Sequence, residues 1–338
     1  MRRLVSLSVL VAVFLAVGAS CSSGTGKGAQ TKRTTTTTTT SSAGSSAPTT
    51  VPATSGGGTA ATTSNDPNHP CGRASAAPAR YRHVIWLWME NHTWSSVIGT
   101  GSAPYLTSLV NACGSLRAES VVGSPSLPNY LGATAGQTFG IGDDNDPSSH
   151  RLTADNLFRQ VRTAGGTSKS YEESMPSNCK LASSGEYAVR HNPAAYYTGA
   201  DDRAACTRDD IPLGTPSNGA LADALSTDTL PTFAFITPNV CDDTHDCSVA
   251  TGDAWLKSWV PEILTSAAYQ RGDTALIIDY DEYSPVPNAW MAPSIRPGAS
   301  FTQKTDHNAL LRATEEMLGL PLLGSAGHAP DVRTALNV

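Results

Sequence analysis

Two hydrophobic periods alternate along this chain. Three short runs, 83–89 (HVIWLWM), 232–237 (TFAFIT) and 274–280 (TALIIDY), are almost wholly apolar and rich in β-branched or aromatic residues. Runs of this length read as strands buried on both faces. Around them the spacing becomes helical. Leu106, Leu109 and Val110 share a face over 103–113, and Leu157 and Val161 share another before Gly165-Gly166 stops it. Trp255, Leu256, Trp259, Ile263 and Leu264 repeat at helical spacing over 253–268, and a last helix over 307–318 is closed by Gly319 with Pro321 just beyond. Strands alternating with helices predict an α/β fold with a mostly parallel sheet flanked by helices. Ligands of such sheets bind beyond the carboxyl ends of the strands. Two of the predicted strands end in acid or amide side chains, Glu90-Asn91-His92 and Asp281-Glu282.

The first 68 residues lack this patterning. Arg2-Arg3 precedes an apolar stretch over 4–17 that is short for a membrane span, and Gly18-Ala19-Ser20-Cys21 follows. The expectation is a signal peptide over 1–20 with Cys21 as the lipid-bearing first residue of the mature chain; ordinary secretory cleavage after Ala19 is the alternative. Residues 21–68 are dominated by Thr, Ser, Gly, Ala and Pro, including an unbroken run from Thr34 to Thr40. They offer too little apolar surface to offset ordering, so a tether is expected, with one catalytic domain over 69–338.

Composition narrows the function. Lys plus Arg number 23 against 29 Asp plus Glu, a net charge of −6 without any basic run. That balance argues against nucleic acid as a partner. Membrane association is therefore assigned to the lipid on Cys21, and the chain is expected to act outside the cytoplasm as a monomer. Apart from Cys21 there are six cysteines, Cys71, Cys113, Cys179, Cys206, Cys241 and Cys247. An even number in an exported chain implies disulfides, for which fifteen pairings are open. A local Cys241–Cys247 loop would leave Cys71–Cys113 and Cys179–Cys206. The irregular spacings without a C-x-x-C pair argue against a zinc site.

Candidate chemistry gathers in a few places. Glu90 and Asn91 supply a carboxylate and an amide oxygen, and Asp281 and Glu282 two further carboxylates, all hard ligands for Mg²⁺, Ca²⁺ or Mn²⁺. In Ser124-Pro125-Ser126-Leu127-Pro128-Asn129 two prolines restrict the backbone, which predicts a rigid turn holding the Ser126 hydroxyl in one direction. A serine needs a base or a metal to become a nucleophile. His191, His245 and His307 lie beside acids or Asn in predicted loops or at a helix start, where imidazole could contact phosphoryl oxygens or protonate a leaving group.

Taken in order, Glu90-Asn91, Ser126-Leu-Pro-Asn129-Tyr130, His191-Asn-Pro193, His245-Asp246 with Gly252-Asp253-Ala-Trp255, Asp281-Glu282, and Asp306-His307 with Gly319-Leu320-Pro321 resemble the bacterial phosphoesterase family of secreted acid phosphatases and phospholipases C. Within that family the chain is most similar to the short secreted acid phosphatases of mycobacteria. The resemblance covers roughly residues 81–323. It implies an alkaline-phosphatase-like core, Ser126 as nucleophile, Glu90, Asn91, Asp281 and Glu282 as holders of a divalent metal, and His191, His245 and His307 around the phosphate. It further implies hydrolysis of phosphate monoesters, including lipid-derived phosphoinositides, with a phospholipase C-like diesterase as the alternative. A binding lipoprotein without catalysis is the remaining reading. Asn129 stands where a sulfatase box carries Arg, which argues against a formylglycine enzyme.

Overall fold

The computed structural model describes residues 66–338. The signal peptide, Cys21 and nearly all of the tether fall outside these residues. Ten strands follow in chain order: β1 His83–Met89, β2 Gly114–Leu116, β3 Glu119–Ser120, β4 Ser168–Glu172, β5 Asp210–Pro212, β6 Phe233–Thr237, β7 Thr274–Tyr280, β8 Asn288–Met291, β9 Ala299–Phe301 and β10 Thr305–Asp306. Eight form one sheet in the order β5-β4-β6-β1-β7-β8-β2-β9, while β10 pairs with β3. Within the large sheet β8 alone runs against its neighbours, pairing antiparallel with β7 and β2. The fold is therefore α/β with a mostly parallel sheet, and the three apolar runs form its centre: Val84 lies opposite Phe233 on β6 and Ala275 on β7.

Central position explains the composition of β1. It is covered on both faces, and every residue from Val84 to Met89 is fully buried. Trp86 meets Phe233 edge-on with centroids 5.0 Å apart, and its indole N–H donates 3.1 Å to Thr314 Oγ1 of the helix His307–Leu318. Met89 points to the other face, beneath the helix Val249–Thr265. Gly252 of that helix has no side chain because Thr244, Met89 and the Asp242 carbonyl occupy the place of a Cβ. Close approach, and not backbone conformation, requires glycine here. Asp306 caps the His307 helix by accepting from Asn308 N–H at 2.9 Å, and Gly319 closes it at φ 68°.

Two expectations change. The 253–268 helix starts earlier, at Val249, where the Ser248 side chain accepts from Thr251 N–H, and breaks at Ser266, which caps a further turn Ala267–Gln270. The expected turn at Ser126 is instead the first turn of a helix, Ser126–Ala135. Pro128 is compatible with it because the first N–H groups of a helix have no partner to lose. The six cysteines form Cys71–Cys113, Cys179–Cys206 and Cys241–Cys247.

Candidate active site

The adjacent ends of β1, β6 and β7 converge on one buried polar cluster. The chain leaving β1 is tied on both sides. Glu90 N–H donates 2.8 Å to the Asp243 carbonyl, and Thr244 Oγ1 donates 2.8 Å to the Glu90 carbonyl. Asp281 N–H donates 3.0 Å to the Met89 carbonyl, and Asn91 N–H donates 3.0 Å to Asp281 Oδ1. Asn91 adopts φ 60°, a left-handed conformation that Asn tolerates better than most residues. Three loops are thereby fixed to one another by two backbone bonds and two bonds between backbone and side chain.

Ser126 enters this cluster from the amino end of its helix. Asn129 folds the preceding loop back, accepting from Val122 N–H at 3.0 Å and Gly123 N–H at 2.9 Å and donating 3.1 Å to the Gly123 carbonyl. The Ser126 hydroxyl, in a residue 3% exposed, donates 3.1 Å to Glu90 Oε2. One turn on, the Tyr130 hydroxyl donates to Glu90 Oε1. The Tyr130 ring lies parallel to His191, centroids 5.5 Å apart. His191 Nδ1 is 3.1 Å from Asp243 Oδ2; its Nε2 is 3.3 Å from Glu90 Oε1 but outside hydrogen-bond geometry.

The remaining sequence-predicted residues occupy three settings. Glu282 turns to Ser124, whose hydroxyl donates 3.1 Å to Oε1. His245 lies at the rim, its ring centroid 5.6 Å from that of His191. Its Nδ1 is 2.6 Å from Asp246 Oδ1, and Nε2 is 3.1 Å from an Arg190 guanidinium nitrogen. His307 belongs to a different group, packed against Trp88 with its Nε2 3.0 Å from the Tyr280 carbonyl. Tyr130, Asp243 and Arg190 were given no role by sequence reasoning. Tyr130 follows Ser126 by four positions and shares its helix face, a relation hidden while Ser126 was expected in a turn. Asp243 was hidden in an acidic run, Asp242-Asp243-Thr244-His245-Asp246, whose members are indistinguishable without the fold.

Electrostatically the cluster is short of positive charge. Burial, then the charges of Asp281 and Asp243, push the Glu90 carboxyl well above the usual carboxylate range. Burial lifts Asp281 to about 7 and Asp243 to about 8. Burial holds His191 well below its ordinary value, reinforced by the Arg190 charge. Two oxygens here, Asp281 Oδ2 and Asn91 Oδ1, are buried without any hydrogen-bond partner. Unpartnered carboxylate and amide oxygens beside a second carboxylate are what a hard divalent cation takes, so the residues present fit such an ion. Glu90, His191 and Asp243 also offer ligand atoms within 4.8 Å of one another.

Comparison with known proteins gives the chain's relatives. The Phosphoesterase family matches residues 19–284. The chain is 30% identical over 268 residues to a phosphatidylinositol-3-phosphatase of Mycobacterium tuberculosis, covering 77% of this chain and 85% of that one. It is 26% identical over 266 residues to an acid phosphatase of Aspergillus fumigatus, covering 72% of this chain but only 56% of that longer protein. Among solved structures, an alkaline phosphatase superfamily protein of Vibrio parahaemolyticus superposes with TM-score 0.49 at 12% identity, covering 80% of this chain and 74% of that one.

Proposed function

The chain belongs to the Phosphoesterase family, and from that membership we propose that it is an exported phosphomonoesterase of the acid phosphatase type with Ser126 as its nucleophile. The observation carrying this reading is the Ser126 hydroxyl itself. It sits at the amino end of a ten-residue helix, bonded to Glu90, next to carboxylates that lack counter-charge. The helix end favours the approach of an anionic phosphoryl group.

Glu90, Asn91 and Asp281 would hold a divalent cation, Mg²⁺, Ca²⁺ or Mn²⁺, which when bound lowers the hydroxyl pKa and neutralises phosphoryl oxygens. Glu90, kept ionised because such a cation would offset its burial, takes the Ser126 proton on Oε2 as Oγ attacks phosphorus and the ester P–O bond breaks. Tyr130 keeps the other Glu90 oxygen occupied, so that Oε2 stays turned to the serine. When a phosphoryl group draws Arg190 off its Nε2, His245, oriented by Asp246, takes up a solvent proton there and passes it to the leaving alkoxide. Water then attacks the phosphoserine in line and gives its proton to His245 while the Oγ–P bond breaks and Oγ recovers its proton from Glu90; Arg190 and the helix end hold the phosphoryl oxygens throughout. His191, kept neutral by burial and anchored by Asp243, forms the wall opposite Tyr130. Glu282 positions the Ser124 loop. The three disulfides support action outside the cytoplasm. Attachment through lipid on Cys21 and use of phosphoinositides, as the name of the mycobacterial relative suggests, complete the proposal.

The decisive experiment measures phosphate release from an aryl phosphomonoester and a matched phosphodiester, with and without chelator, for the wild type and Ser126→Ala. Expected is chelator-sensitive cleavage of the monoester and a loss of at least roughly 10³-fold in kcat for the variant. Near-wild-type turnover by Ser126→Ala removes the nucleophile assignment. Preference for the diester moves the chain to the phospholipase C side.

A further inference from the structure

A second group of buried acids and imidazole lies close to this cluster and takes no part in the chemistry above. Asp279 is on β7, two positions before Asp281. Glu119 opens β3, and His307 begins the helix that follows β10. The parallel pairing of β10 with β3 sets Thr305 opposite Glu119 and so carries His307 to it. Glu119, Asp279 and His307 each offer a ligand atom within 4.8 Å of the others, and all three residues are 0% exposed. Both Glu119 carboxylate oxygens, Asp279 Oδ2 and His307 Nδ1 are without a hydrogen-bond partner.

The protonation pattern of His307 is fixed by its other nitrogen. Nε2 stands 3.0 Å from the Tyr280 carbonyl, which can only accept, so Nε2 carries the proton and Nδ1 presents a lone pair. Three acceptors thus face one another with no donor between them. The charges that act on the two carboxylates are negative: Asp279 and Asp306 on Glu119, and Asp281 on Asp279. An arrangement of this kind requires a bound cation, and the question is only whether that cation is a proton or a metal.

We propose that Glu119, Asp279 and His307 form a second divalent-cation site, separate from the one beside Ser126, that takes a first-row transition ion, zinc or manganese. Two carboxylates with one imidazole suit these ions. The all-oxygen preference of Ca²⁺ and Mg²⁺ does not match the Nδ1 lone pair. The carbonyl bond to Nε2 is the outer contact that orients a ligating imidazole. The bound ion joins β3, β7 and the start of the His307 helix at one point and so contributes to stability.

The test uses the full chain, stripped with chelator, reloaded with Zn²⁺ or Mn²⁺ alone and freed of excess by gel filtration, with metal per chain measured by mass spectrometry. Glu119→Gln and His307→Gln should each hold one equivalent less than the wild type. Asp281→Asn should keep this equivalent, so the fate of the ion beside Ser126 is read separately. In the Asp281→Asn background Zn²⁺ should raise the melting temperature, and adding Glu119→Gln should abolish the rise. If Glu119→Gln does not fold, His307→Gln carries the comparison. Wild-type metal content in a folded Glu119→Gln or His307→Gln chain overturns the proposal and leaves a shared proton as the occupant.

Discussion

At the residue scale, Tyr130 is the side chain whose removal tests the cluster most selectively. Its hydroxyl satisfies one oxygen of a Glu90 carboxylate that is fully buried, and its ring stacks on His191. Tyr130→Phe keeps the stacking and leaves Glu90 Oε1 without a donor. The expected cost is about 1–3 kcal/mol in unfolding free energy, together with a fall in kcat of roughly ten- to a hundredfold as Glu90 loses its orientation. Urea denaturation and steady-state kinetics check both, and unchanged kcat would free Tyr130 from any part in the site. Single residues were the most legible level of the site. Glu90, Asn91, Ser126 and Asp281 could be read because each stands at a strand end or beside prolines, where a polar side chain interrupts a strong pattern. Asp243 and Glu119 could not. Nothing in a sequence distinguishes an acid that folds inward from one that stays in water, since that depends on which strands pair. Resemblance grouped His307 with the phosphate-binding residues, whereas its contacts are with Trp88, Tyr280 and the Glu119 group.

At the level of elements, the helix Val249–Thr265 acts on the cluster through Gly252. A Cβ there would collide with the Thr244 methyl and lie 2.9 Å from Met89 Cε and 3.0 Å from the Asp242 carbonyl. Alanine is the better helix former by about 1 kcal/mol, so an exposed position would gain from the change. Here overpacking should win, with a net loss of about 1–3 kcal/mol. Activity should fall as well, because the displaced Thr244 is the donor to the Glu90 carbonyl. A Gly252→Ala chain with wild-type kcat and higher stability would contradict this. The apolar elements were legible because their periods are strong. β4 was not: its sequence SKSYE carries two serines and three charged or aromatic side chains, yet Ser168, Ser170, Tyr171 and Glu172 are all buried. The Ser126 helix was misread as a turn because two prolines outweighed the fact that a first helical turn accommodates them.

For the molecule as a whole, stability should depend on pH through Glu315. This fully buried residue of the His307 helix accepts from Leu323 N–H at 2.9 Å, and burial lifts its carboxyl from an ordinary 4.5 to about 8. Between these values the folded chain retains a proton that the unfolded chain has released. Its contribution is therefore greatest below about pH 4.5 and declines as pH rises to about 8, by up to about 1.4 kcal/mol per pH unit. Glu315→Gln should remove that decline, so denaturation at pH 5 and pH 8 should show the variant gaining on the wild type at the higher pH. An equal difference at both would exclude the residue. The parallel sheet itself, legible from three apolar runs, has a consequence for how the chain is made. Strand β1 begins at His83, but the two strands that cover its edges begin at Phe233 and Thr274. Until the ribosome has delivered both, HVIWLWM remains an unpaired, uncharged β segment with two tryptophans, of the kind that recruits copies of itself. Long-range parallel pairing is also slow to form. Productive folding must therefore wait for a nearly complete chain, and a product terminated before residue 274 should aggregate instead of forming a smaller folded piece.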